Sequence, residues 1–231
     1  MTSVLKCVIF DMDGTLVDSE KVYLAGYKHA FDKFNVAATV SELKVFAGLS
    51  GDDEMSEIDK FTNDRAVTES VFNEMVNYFQ NEYDEHQVEL KADAIKLLDY
   101  CKECHLKIGL ATSSYEQGAR ELLTKLNIID YFDFFVFGDE IDTPKPDPEI
   151  YRVAIERSGC DRDDCLVIED SLAGVTSATK ARLPVIQIFG DVDPVHFANY
   201  NVDALKKIMP IIDKLIPKNT FKSKKQRLIE V

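Results

Sequence analysis

The sequence predicts an α/β protein: a Rossmann-like core on a parallel sheet, with a helical cap domain inserted after the first strand. Two observations point there. Short runs of β-branched and aromatic residues alternate with stretches of helical periodicity, at the spacing that βαβ crossovers require. The long segment after the first run breaks this alternation and carries helical periodicity alone. Parallel neighbours need a crossover between them, most simply a helix, and the fixed hand of such crossovers leaves few topologies open.

In chain order, Leu5–Phe10 is the first strand, an apolar run that stops abruptly at Asp11. Residues 16–89 form the expected cap, with helices over Val22–Phe34, near Glu42–Phe46, over Glu54–Phe61 and over Val67–Tyr83. Residues 1–15 and 90–231 form the expected catalytic core. There Ala92–Cys104 reads as a helix, Lys107–Ala111 as a strand, Tyr115–Leu126 as a helix and Phe134–Phe137 as a strand. Pro148–Arg157 follows as a helix, Cys165–Ile168 as a strand, Ser171–Ala181 as a helix and Val185–Phe189 as the last strand. The tail, 218–231, contains KSKKQR and reads as a solvated, frayed end.

Composition excludes several classes of function. The chain has 231 residues, 45% hydrophobic and 29% charged, as an ordinary globular protein has. Its 41 acids against 27 bases give a net charge of −14. Such a surface repels phosphate backbones and anionic membranes, so neither nucleic acid nor membrane is an expected partner. No basic stretch leading into an apolar run marks a signal peptide, and no apolar run approaches the roughly 20 residues of a membrane helix. The five cysteines, an odd number, read as reduced thiols, so a cytoplasmic location is expected, with a monomer as the default.

The polar residues fall where the strands stop. Val8-Ile9-Phe10 runs into Asp11, with Asp13 one residue beyond it. Ile108-Gly109-Leu110-Ala111 runs into Thr112-Ser113-Ser114, and Phe135-Val136-Phe137 leads into a loop carrying Lys145 between two prolines. Leu166-Val167-Ile168 runs into Glu169-Asp170. Ligands of open parallel sheets bind outside the carboxyl ends of the strands, so these four ends define one candidate site.

The residue types suit phosphoryl chemistry. The Asp11 carboxylate is a competent nucleophile toward phosphorus. Its repulsion from a phosphate at about 4 Å costs about 4 kcal/mol at an effective dielectric near 20. Left uncompensated, that is roughly a thousandfold in rate. Lys145 supplies one positive charge, and a divalent cation held by Asp11 and Asp170 would supply two more. An all-oxygen ligand set suits Mg²⁺. Thr112 and the amides around Ser113 can hydrogen-bond phosphoryl oxygens. Asp13 can protonate the leaving oxygen and later deprotonate the attacking water.

DMDGTLVDSE, GLATSS, TPKPDPEIY and VIEDSLAG together resemble the four ordered motifs of the haloacid dehalogenase superfamily, and the helical insert is similar to the cap of its phosphoglucomutase-like phosphatases. The resemblance implies that Asp11 forms an aspartyl phosphate, that Asp13 is the general acid and base, and that Thr112, with Ser113 beside it, binds phosphate. It implies that Lys145 neutralises the phosphate. Asp170, with Glu169 as either a ligand or a supporting group, would hold Mg²⁺ together with Asp11 and the Asp13 carbonyl.

Each feature also has a plainer reading. A calcium loop starting at Asp11 would need glycine where Leu16 stands and glutamate where Val22 stands. Ser171 reads as a helix N-cap, and Ser113 or Ser114 as a cap for the helix after GLATSS. Cys101-Lys102-Glu103-Cys104-His105 spells a haem-attachment pattern, but with no second cysteine pair nearby it carries no cofactor expectation.

The cap decides the substrate. Sugar mutases of this group anchor a second phosphate, typically with an arginine in the first cap loop. Here that loop reads FAGLSGDDE, with Gly48, Leu49 and Ser50 as candidate substrate contacts and no arginine. The expected function is therefore a Mg²⁺-dependent phosphatase of small phosphorylated metabolites, phosphosugars or nucleotide-like esters. A β-phosphoglucomutase-like sugar phosphomutase is the alternative, and a non-catalytic phosphate-binding protein the third reading. Lys21, Lys44 and Lys60 are the substitutes available for the missing arginine.

Overall fold

The computed structural model describes residues 4–46, 51–84, 88–190 and 194–216. Gly48, Leu49, Ser50 and the tail 218–231 lie outside the described residues. The core sheet contains β1 (Cys7–Phe10), β4 (Lys107–Ala111), β5 (Phe134–Val136), β6 (Cys165–Glu169), β7 (Val185–Ile188) and β8 (Tyr200–Val202), in the order β5-β4-β1-β6-β7-β8. Every neighbouring pair is parallel. A separate antiparallel pair, β2 (Val17–Asp18) and β3 (Glu89–Leu90), ties together the two places where the chain leaves and re-enters the core.

The helices of the core are α5 (Ala94–Glu103), α6 (Glu116–Lys125), α7 (Glu149–Ser158), α8 (Leu172–Lys180) and α9 (Met209–Leu215). Strand residues alternate between faces, as the pleat requires. Val8 and Phe10 pack with Leu97, Leu98, Leu122 and Ile212 on one side. Cys7 and Ile9 pack with Ile150, Ala154, Val175 and Ala178 on the other. Burial on both faces explains why these strands read as continuous apolar runs.

Between β2 and β3 lie α1 (Glu20–Lys33), α2 (Val40–Leu43), α3 (Gly51–Thr62) and α4 (Arg65–Asp84). They carry their own apolar cluster, centred on Tyr27, Phe31, Leu43, Phe46, Ile58, Val71 and Met75. Tyr27 stacks on Phe46 with ring centroids 4.2 Å apart, and Phe61 meets Phe31 edge-on at 5.4 Å.

Three details depart from the sequence expectation. The helical stretch near Glu42–Phe46 is a single α turn followed by a 3₁₀ turn over Lys44–Phe46, started by a reciprocal Thr39–Glu42 cap. The edge strand β8 was not expected, because Tyr200 and Asn201 are exposed and leave no apolar run. α9 was not expected either: seven residues with a proline in the first turn give too short a pattern.

Candidate active site

The chain order of the sheet creates the site. From β1 the chain builds outward through β4 and β5 on one side, then through β6, β7 and β8 on the other. The strand order reverses at β1, where open α/β sheets place their ligands. Phe10 pairs with both Leu110 and Ile168, so Asp11, Thr112 and Glu169 emerge side by side at one rim.

At the centre is a buried ion cluster. The Lys145 Nζ donates to Asp11 Oδ1 and to Glu169 Oε1, each at 2.7 Å, and to the Ala111 carbonyl at 3.2 Å. The lysine side chain is only 6% exposed. Burial works against its ammonium form, yet the carboxylates of Asp11 and Glu169 hold its pKa well above the ordinary lysine value. Tyr151, from α7, lies under the ammonium with its ring centroid 5.2 Å from Nζ, and its hydroxyl donates to Glu169 Oε1 at 3.0 Å.

Two carboxyls here are costly to ionise. Burial pushes Asp11 well above the usual carboxylate range despite Lys145. Burial, reinforced by the Glu169 charge, pushes Asp170 up to about 7. Oxygens of Asp11, Glu169 and Asp170 all lie within 4.8 Å of one another. One ammonium among three clustered acids leaves negative charge uncompensated, and a divalent cation would relieve it.

Glu169 is within reach of that position but is already engaged. Its Oε1 accepts from Lys145 and Tyr151, and its Oε2 from the Asp170 amide at 2.9 Å, the Ser171 amide at 3.1 Å and the Ser171 hydroxyl at 3.1 Å. Five donors on two oxygens exceed the roughly four lone-pair directions of a carboxylate. Asp11 and Asp170 are less committed: among the described residues the Asp170 side chain accepts only a long bond, 3.3 Å, from Thr15. The donor chemistry therefore fits a hard cation on Asp11 and Asp170, with Glu169 as their buttress.

Two glycines permit this approach. Gly14 has φ +74°, and a Cβ there would lie 1.9 Å from Asp170 Oδ2. A Cβ on Gly174 would lie 1.6 Å from Glu169 Oε1.

The phosphate-binding candidates line the same rim. Thr112 is buried, with its amide on the Val136 carbonyl and its Oγ1 accepting from the Ser114 amide at 3.0 Å. Its hydroxyl proton meets no acceptor among the described residues and is left for a ligand. The backbone amides of fully buried Met12 and of Ser113 donate to no acceptor among the described residues. A buried orphan donor such as the Met12 amide is rare in proteins, and an oxyanion would satisfy it. The Ser113 side chain is exposed, so its backbone, held against Gly138, is the part that faces this role.

Ser114 departs from its expected part. The residue preceding α6 is Tyr115, with no side-chain cap, and the Ser114 hydroxyl instead donates to Asp13 Oδ2 at 2.7 Å. Ser171 caps α8 as expected, accepting from the Gly174 amide at 3.0 Å. Cys101 and Cys104 are buried in the apolar layer of α5. Sequence reading missed Ser114, Tyr151 and Thr15. Tyr151 sits inside a helical pattern that conceals it, whereas Ser114 and Thr15 stand within the quoted motifs and could have been tested there.

Comparison with known proteins agrees with this architecture. The haloacid dehalogenase-like hydrolase family matches residues 8–188. The chain is 30% identical over 195 residues to a phosphorylated carbohydrates phosphatase of Thermotoga maritima, covering 81% of this chain and 86% of that protein. It is 27% identical over 183 residues to the beta-phosphoglucomutase of Bacillus subtilis, covering 77% and 80% respectively. The solved structure of a HAD hydrolase of family IA, variant 3, from Entamoeba histolytica superposes with a TM-score of 0.77 at 22% identity, over 91% of this chain and 100% of that one. At that identity the likeness is one of fold.

Proposed function

The chain belongs to the haloacid dehalogenase-like hydrolases, and from that premise we propose that it is a Mg²⁺-dependent phosphatase of phosphorylated carbohydrates acting through an aspartyl phosphate on Asp11. The observation that carries the reading is the buried cluster of Asp11, Lys145, Glu169 and Asp170 at the strand-order reversal. In this account residues 1–15 and 90–231 perform the chemistry and residues 16–89 cap it.

Bound Mg²⁺ on Asp11, Asp170 and the Asp13 carbonyl would neutralise phosphoryl charge and align the phosphorus with Asp11. The Lys145 ammonium, fixed by Asp11, Glu169 and the Ala111 carbonyl, faces the same oxygens as a permanent positive charge. Thr112 and the Met12 and Ser113 amides orient the phosphoryl group. Asp11 Oδ attacks phosphorus and the ester bond breaks. Asp13 gives the leaving oxygen a proton, then takes one from the water that hydrolyses the acyl phosphate. Ser114, donating to Asp13 Oδ2, fixes the orientation of that carboxyl.

Mutase chemistry is the second reading, since relatives of both kinds are similar to this chain. The charges of the cap favour hydrolysis. Lys21 and Lys60, two of the substitutes for the missing arginine, are exposed and paired with Asp18 and Glu57. The test is phosphate release from hexose phosphates, with Mg²⁺ and with a chelator. Release that needs the metal is expected. Interconversion of a hexose 1-phosphate and 6-phosphate after priming with a bisphosphate, with little release, would favour the mutase.

A further inference from the structure

One strand of the core sheet carries a polar residue among apolar ones. β7 reads Val-Ile-Gln-Ile over Val185–Ile188, and Gln187 is only 1% exposed. Burying a primary amide is unfavourable unless both of its ends find partners. Here both do. The Gln187 Oε1 accepts from the Val195 amide at 2.6 Å, and its Nε2 donates to the Asp170 carbonyl at 3.0 Å. A backbone N–H only donates and a carbonyl only accepts, so these partners fix which way the side-chain amide points.

Register explains why this glutamine reaches the site. It pairs with Glu169 on β6 and with Asn201 on β8, so one polar row crosses three strands from the rim to the sheet edge. The row is linked, since Asn201 Nδ2 donates to the Val195 carbonyl at 3.3 Å and the Val195 amide holds Gln187. At its inner end the row meets the turn between β6 and α8. There the Asp170 amide is held by Glu169 Oε2 at 2.9 Å, and the Asp170 carbonyl by Gln187. The peptide groups on both sides of the Asp170 Cα are thereby clamped. Mg²⁺ demands near-ideal octahedral geometry, so a carboxylate that serves it gains from leaving a fixed backbone.

We propose that Gln187 is a positioning residue for the metal: by holding the Asp170 carbonyl, it sets the direction from which the Asp170 carboxylate meets Mg²⁺. The inference rests on the placement of Mg²⁺ at Asp11 and Asp170 in the proposed function. It gives Gln187 no contact with metal or substrate.

The experiment is calorimetric titration of the full chain with Mg²⁺, without substrate, beside the Mg²⁺ dependence of phosphate release. Gln187→Met keeps the size and removes both bonds. It should weaken Mg²⁺ binding about tenfold, the lower end of what losing an outer partner of a metal ligand costs. The rate at saturating Mg²⁺ should recover most of the way, because no group touching the phosphoryl is altered. Gln187→Asn retains the amide but is one methylene too short to span both partners, and should shift Mg²⁺ binding the same way. Asn199→Ala provides the structural comparison. Asn199 braces the end of β7 beside Val167, away from Asp170, with its Oδ1 accepting from the Val185 amide at 2.9 Å. Its loss should leave Mg²⁺ binding unmoved. Unaltered Mg²⁺ affinity in Gln187→Met, or in Gln187→Asn should the first variant not fold, would overturn the inference. An equal loss of affinity in Asn199→Ala would overturn it too, because any loosening of β7 would then suffice. Asp170→Asn separates the two levels. If it weakens Mg²⁺ binding and the Gln187 variants do not, only the Gln187 role falls; if it leaves binding unaltered, the metal placement fails and this inference with it.

Discussion

The sheet rim and the helical segment hold buried acids in opposite ways. At the rim, Asp11 and Glu169 are tied to one ammonium, and Glu169 gathers five donors. In the helical segment, Glu54 has a single tyrosine donor among the described residues, beside an aromatic cluster of Tyr27, Phe31, Phe46 and Phe61. The rim spends folding free energy to hold charges in fixed positions. The helical segment gains its stability from aromatic packing and leaves a polar atom open. Fixed charge suits a reaction common to many esters, whereas aromatic packing gives the helical segment a core of its own.

Breaking the rim should have the largest effect. Lys145→Ala leaves Asp11 and Glu169 facing each other with no cation between them. Removing one partner of a buried ion cluster costs about 3–5 kcal/mol of stability. Turnover should fall at least about a thousandfold, the weight of one uncompensated charge contact. Urea unfolding and steady-state phosphate release measure the two effects; near-normal turnover would show that Lys145 does not serve the phosphoryl group.

Breaking the helical segment should damage folding and spare the metal site. Phe31 is fully buried between Phe46 and Phe61, and Phe31→Ala should cost about 3–5 kcal/mol through the cavity it leaves. The Mg²⁺ concentration for half-maximal rate should stay unchanged in protein that remains folded. A shifted metal requirement would mean that the two regions are not separable in this way.

Asp170→Asn sharpens the rim alone. It removes a ligand charge while leaving Lys145 bonded, so half-maximal Mg²⁺ should rise by about ten- to a hundredfold. An unchanged requirement would take Asp170 off the ligand set.

The last effect is one of pH. Without metal, burial and then the Glu169 charge push the Asp170 carboxyl up to about 7 in the folded chain, against about 3.9 when unfolded. The native state therefore keeps a proton that the unfolded chain has lost. Metal-free stability should decline as pH rises from about 4 to about 7. Mg²⁺ needs the ionised carboxyl, so its stabilisation should be larger near pH 8 than near pH 5, read as the shift in thermal midpoint. An equal shift at both values would contradict a carboxylate site.

Most of the rim was legible in the sequence, because charge at the end of an apolar strand has few structural explanations. Lys107–Ala111 was read to the residue, and Asp11, Lys145 and Asp170 do meet. The state of Glu169 was not legible, since three of its five donors are its neighbours Asp170 and Ser171 but the other two, Lys145 and Tyr151, reach it only through folding. Ser113 or Ser114 was read as a helix cap because hydroxyls before helices usually serve that role; α6 instead starts after Tyr115 with no side-chain cap, and the Ser114 hydroxyl donates to Asp13. In the helical segment, periodicity located α1, α3 and α4 but concealed Glu54, whose burial depends on Tyr27 and on packing between helices. β8 and α9 were too short and too exposed to leave a pattern.

The central claim concerns one oxygen atom of Asp11, and mass spectrometry can address it directly. Asp13→Asn should still permit attack but slow hydrolysis of the product, so incubation with a hexose phosphate and Mg²⁺ should accumulate one phosphoryl group on the peptide containing Asp11. The same adduct should be absent when Asp11→Asn is added. A phosphoryl group on any other residue, or turnover that survives Asp11→Asn, would contradict the account.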